Sequence, residues 1–216
     1  MMQRRDFIAG TALAAAATAV PGVRAQAASS PTLNKPARIV LGFPPGGSLD
    51  SIARLLAERL KGGYAPVVTV ENRAGAGGRI AMDLVKAAEP DGSLIVMAPA
   101  SLMVIYPHVY KKLSYDPFKD FSYITQAVRS PAVISANADL PVKTMADFRR
   151  YAAEQRGKLT YGSWGPGGLG HLAGEQLNRI IGAEMVHVPQ RGEAPVMADL
   201  LSGKAPDEIG RASCRE

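Results

Sequence analysis

The sequence predicts an α/β protein arranged in two lobes. Two observations carry this. From Ala37 onward, short runs rich in β-branched and apolar residues alternate with patterns of helical period. That alternation breaks once, in an aromatic, turn-rich middle, and then resumes. Alternation of this kind argues for largely parallel sheets with helices packed on them.

The elements follow in order. "ARIVLGF" (37–43) predicts a buried strand, and 48–61 a helix with Ile52, Leu55, Leu56 and Leu60 on one face. "PVVTVEN" (66–72) is a second strand, 77–88 a second helix and "SLIVMAP" (93–99) a third strand. "YPHVYKKLSYDPFKDFSYI" predicts a connection with little regular structure. Residues 123–137 offer two strand-like runs around Pro131. Thr144 opens a helix to Gln155, with Asp147 three residues on, close to a capping box. Then come strand "KLTYGS", helix "GHLAGEQLNRII", strand "EMVHVP" and helix "APVMADLLSG". This divides the chain into a first lobe (31–126) and a second (127–204).

The first residues stand outside this scheme. "RRDFIAGTALAAAATAVPGVRAQA" has an arginine pair, an apolar alanine-rich stretch and small residues at Ala25 and Ala27. That is the layout of a cleaved export signal over residues 1–27, and the pair Arg4-Arg5 fits the twin-arginine type. The apolar run from Phe7 to Val20, 14 residues long, falls short of the roughly 20 needed to span a bilayer. Losing Arg4, Arg5, Arg24 and Asp6 lowers the formal charge from +6 to +4. The remaining basic residues are scattered, with no basic tract carrying interleaved aromatics, so nucleic acid is not an expected partner. Cys214 is the only cysteine, which leaves no intrachain disulfide.

Three glycine-rich turns stand where a strand leads into a helix. In "GFPPGGSLD" two prolines stiffen the turn, Gly46 and Gly47 let a ligand approach the backbone, and Ser48 is placed to cap the helix. The free N–H groups at such a helix start suit a carboxylate or phosphate. Asp50 is the odd member: it either serves the helix dipole or meets a donor on the ligand. "ENRAGAGGRIAMD" repeats the arrangement with Arg73 and Arg79 beside it, and reads more simply as a tight turn. "YGSWGPGGLGHLAGE" satisfies G-x-G-x-x-G through Gly165, Gly167 and Gly170, but the following strand runs into Pro189, Gln190 and Arg191 without the acid that would hold a ribose. No nucleophile, base and orienter fall at catalytic spacing, and His108, His171 and His187 lack metal-ligand spacing. Neither an enzyme nor a cofactor is expected; an exported α/β enzyme acting on an anionic molecule is the alternative.

In family order, "IVLGFPPGGSLDSIAR", "VENRAGAGGRIAMDLVKAAEPDGSLIVM", "VYKKLSYDPFKDFSYI", "LPVKTMADFRRYA", "KLTYGSWGPGGLGHLAGE" and "VPQRGEAPVMADLLSGK" resemble the Bug-type extracytoplasmic receptors of the tripartite tricarboxylate transporter system. The resemblance implies a periplasmic, two-lobed, type II-like periplasmic binding protein fold. It implies a monomer that closes on a small carboxylate, with membrane transporter subunits as candidate partners. Carried over residue by residue, the ligand set is Phe43, Pro45, Gly46, Gly47, Ser48 and Asp50 from the first lobe. Ser163, Trp164, Gly165, Gly167, Gly168 and His171 come from the second, and Ser101 is a weaker candidate. The family usually has a hydroxyl residue near the position of Gly168, a small one at Trp164 and an aromatic at Gln190. After Lys204, "APDEIGRASCRE" departs from the family pattern and reads as a foreign tail (205–216) on a receptor incomplete at its C-terminus, with open sheet edges and apolar surface expected.

Overall fold

The computed structural model describes residues 33–202 and the backbone of 208–210. The expected export signal and Cys214 lie outside the described residues. The first sheet has strand order β2-β1-β3, formed by Ala37–Leu41 (β1), Val68–Asn72 (β2) and Leu94–Val96 (β3). β1 runs parallel to both neighbours, with Ile39 opposite Val70 and Ile95. Four of its five residues are buried; Arg38 is the exposed one, and it pairs with Glu71 on β2.

Helix α1 (Ser48–Leu60) lies against this sheet, but not by the face its leucines suggest. Leu55 is 69 % exposed. The buried line is Asp50, Ala53 and Ala57, at helical spacing, and it packs with Ile39, Leu41 and Val68. Alanines let the helix axis approach the strands; Leu49, Leu56 and Leu60 close the sides. A 3-10 turn (Ala76–Gly78) leads into α2 (Arg79–Lys86). A Cβ on Gly42 would meet Gly78 Cα at 2.5 Å, so the first two glycine turns pack backbone against backbone.

Two short helices follow β3: α3 (Ser101–Val104), and α4 (Tyr106–Val109), which opens the stretch where the sequence suggests little regular structure. Leu102, Tyr106 and Tyr115 join Met82 of α2 in a second core. Of the strand-like runs expected over 123–137, only β4 (Ser135–Ala136) forms. Residues 122–134 make no ladder, and Ile124, 74 % exposed, has nothing to bury its branched side chain.

The second sheet has order β4-β7-β5-β6, with β5 (Thr160–Ser163), β6 (Val186–Pro189) and β7 (Glu208–Gly210). β5 is parallel to β6 and β7; β4 is antiparallel to β7. The backbone of β7 falls inside the 205–216 segment set apart by the sequence. Helix α5 (Met145–Glu154) has the full capping box of Thr144 and Asp147. Phe148 and Ala152 of α5 pack with Leu159, Tyr161 and Met185 in a third core. Helices α6 (Leu169–Ile181) and α7 (Glu193–Ser202) follow β5 and β6.

Candidate functional site

The turn between β1 and α1 is held by one carboxylate. Asp50 accepts from Arg54 Nε and Nη2, each at 3.0 Å, from Asn72 Nδ2 at 3.0 Å and from the Gly46 N–H at 3.1 Å. Asn72 Nδ2 also donates to the Phe43 carbonyl at 3.0 Å. Burial pushes the Asp50 carboxyl upward, but the Arg54 fork, the Asn72 amide and the Gly46 N–H outweigh it and hold the group below the usual aspartate range. Asp50 therefore faces its own lobe and shapes the turn. Of the two roles open in the sequence, the structure favours neither a bare dipole partner nor a ligand donor-reader. Arg54 was legible as an i,i+4 partner of Asp50; Asn72, on another strand, was not.

Ser48 is not the cap. Gly47 holds that position without a side-chain bond, and Ser48 is the first helical residue. Its N–H and Oγ both donate to Glu193 Oε2, at 2.9 and 2.5 Å. A carboxylate thus sits on the α1 N-terminus, and it comes from the first residue of α7 in the other lobe. Gly192 comes so close to the turn that a Cβ there would lie 2.9 Å from Pro44 Cδ, and a Cβ on Gly46 would touch Ala194 at 3.7 Å. Glu193 had no sequence signal, being 145 residues from Ser48.

The glycine loop of the second lobe is ordered from within. The Gly167 N–H donates to His171 Nδ1 at 3.0 Å, closing the loop onto the first turn of α6, whose N-cap is Gly168. His187 stacks on His171 with ring centroids 4.0 Å apart, and on Tyr161 at 4.9 Å. Ser163 Oγ lies 2.8 Å from His187 Nε2. Burial, and then the neighbouring His171, lower His187 to about 4, so the ring is neutral near pH 7. On this strand Val186 is 53 % exposed, while the His187 imidazole is covered by the two rings. The Ser163–His187 pair has the chemistry of a nucleophile and base, but Ser163 is 1 % exposed and closed to a substrate. Trp164 is half-buried beside it. Among the described residues, no group of three His, Cys, Asp or Glu is placed to hold a metal.

The loop and the turn meet through intermediates. A Cβ on Gly165 would lie 3.5 Å from Gly77 Cα, Tyr110 OH donates to the Pro166 carbonyl at 2.9 Å, and a Cβ on Gly167 would touch Val109 at 3.0 Å. On the other side the Gln190 N–H donates to the Ser163 carbonyl at 2.8 Å, three residues before Glu193. Phe43 packs with Met82 and Leu102, while Pro45 and Gly46 are exposed. Ser101 is buried at the start of α3.

Two α/β lobes with largely parallel sheets, joined among the described residues by an irregular passage and touching through glycine turns, define the class of two-lobed periplasmic binding proteins. A family model described as "Tripartite tricarboxylate transporter family receptor" matches residues 52–210, and the chain belongs to that family. A Cupriavidus necator protein named "UPF0065 protein in gbd 5'region" is 37 % identical over 205 residues, covering 94 % of this chain and 62 % of that protein. The solved structure of Rhodopseudomonas palustris Rpa4515 with adipate is 31 % identical, with a TM-score of 0.77 over 83 % of this chain and 59 % of that one. MatC from the same organism, with bound malate, is 27 % identical, with a TM-score of 0.75 over 83 % of this chain and 60 % of that one. The chain thus spans about three fifths of the length of the proteins it matches.

Proposed function

We propose that this protein is a periplasmic receptor that captures a small carboxylate between its lobes and delivers it to a tripartite tricarboxylate-type transporter. The observation that carries the proposal is the seat at the α1 N-terminus, where one carboxylate oxygen takes both the N–H and the hydroxyl of Ser48. Charge-assisted bonds at the positive end of a helix dipole are what a ligand carboxylate requires. Bound adipate in one structural relative and malate in another support this ligand class. The signal-like layout expected over residues 1–27 fits that compartment.

The ligand-facing set is Pro45, Gly46, Gly47 and Ser48 of the first lobe, with Trp164, Gly165, Gly167 and Gly168 of the second. Asp50, Ser163 and His171 act behind them, holding the turn and the loop in shape. Calorimetric titration with adipate, malate and citrate tests the proposal. Saturable binding of at least one, weakened when Ser48 is replaced by alanine, is the expected result. Absence of binding for all three would sink it.

A further inference from the structure

The carboxylate that fills the α1 N-terminus belongs to the protein itself. Glu193 Oε2 accepts from the backbone and hydroxyl of Ser48 and lies 3.4 Å from where a Cβ on Gly47 would stand. Two carboxylates cannot share these donors, because like charges at contact distance oppose each other's ionisation. Glu193 has another place to go. As the first residue of α7 it belongs to the first turn of its own helix, where a negative charge is also stabilised. A change of side-chain rotamer would take the carboxylate from one helix start to the other without moving the backbone.

We propose that Glu193 is a resident occupant of the ligand's carboxylate seat: it latches the two lobes in the empty protein and must be displaced by the incoming carboxylate. This rests on the receptor reading given above. The latch has a consequence for ligand choice. Displacing Glu193 costs every carboxylate the same free energy, so a short monocarboxylate, which gains only the seat, is rejected. A dicarboxylate that also reaches the second-lobe glycine loop recovers the cost there. The contacts around the latch are close enough to hold it in register, since Gly192 leaves no room for a Cβ against Pro44 and Ala194 lies on Gly46.

The test uses the full 216-residue chain, labelled with 15N, and follows the Ser48 amide while acetate or adipate is added to the wild type, Glu193→Ala and Glu193→Gln. Glu193→Gln keeps the packing volume and an accepting oxygen, and so separates loss of the latch from loss of the fold. The expected result is a Ser48 amide that shifts on removal of the Glu193 charge, with acetate binding about tenfold tighter to Glu193→Ala than to the wild type and Glu193→Gln between them. Equal acetate response in all three proteins would overturn the latch. So would adipate binding weakened in Glu193→Ala, which would make Glu193 part of the ligand's own site. If acetate takes the seat only in the variants while adipate, malate and citrate bind none of the proteins, the latch stands and the receptor reading falls.

Discussion

At the scale of single residues, four hydrogen bonds converge on the Asp50 carboxylate, three of them from the side chains of Arg54 and Asn72 and one from the Gly46 N–H. Replacing Asp50 with alanine should destabilise the protein by about 1–3 kcal/mol, read from urea unfolding, because the Gly46 N–H loses its acceptor and Asn72 keeps only the Phe43 carbonyl, while the half-exposed Arg54 returns to water. Weaker ligand binding would follow from the disordered turn. His187 gives a pH signature. Its ordinary value is 6.5 and its folded value about 4, so an unfolded chain takes up a proton near 6.5 that the folded protein refuses until about 4. Stability is full above 6.5 and is lost as the pH falls through that window. The groups around the ring are His171, Ser163, Tyr161 and Glu175. Melting temperature measured from pH 7 to pH 4 should fall in the wild type and fall less in His187→Gln over the same range.

At the scale of elements, Gly174 shows how a helix position can reverse its usual preference. Alanine in place of glycine ordinarily favours a helix by about 0.5–1 kcal/mol. Here a Cβ would lie 2.1 Å from Tyr161 Cε2, inside the ring that β5 presents to α6. Gly174→Ala should therefore destabilise by about 1–3 kcal/mol in denaturant unfolding, the opposite sign to the propensity rule. Most elements were legible because their apolar period and their caps agree: Thr144 and Asp147 mark the start of α5 in both sequence and structure. Three were not. Leucines masked the alanine face of α1, since packing distance and not side-chain size decided which face is buried. The short helix α4 hid in an aromatic stretch of which Tyr106, Tyr110 and Tyr115 pack into a core, and α3 just before it is a single turn. The run around Pro131 has strand-forming residues but no neighbouring strand among the described residues to pair with.

At the scale of the molecule, the lobes touch along two seams, one through Glu193 and Pro44 and one through Tyr110 and Pro166. The candidate turn and loop were both visible in the sequence as glycines between strand and helix. The seams were not, because each joins residues more than 50 positions apart. The surface carries paired carboxylates at Glu71, Asp120 and Asp147, each held below its ordinary range by hydrogen-bonding partners, with Asp50 doing the same inside. An unfolded chain protonates these groups near 4.5 and 3.8, before the folded protein does, so their contribution is present above that range and lost as the pH falls through it. Urea midpoints should drop a second time below about pH 4.5, and this second drop should persist in His187→Gln.

Trp164 is the chain's single tryptophan, and it stands in the glycine loop of the second lobe between Ser163 and Gly165. The protein therefore carries its own optical probe at the point where a ligand would arrive. Indole emission reports from one place only, so a change in its colour or intensity on adding a carboxylate would be a direct signal from the cleft, free of background from elsewhere in the chain.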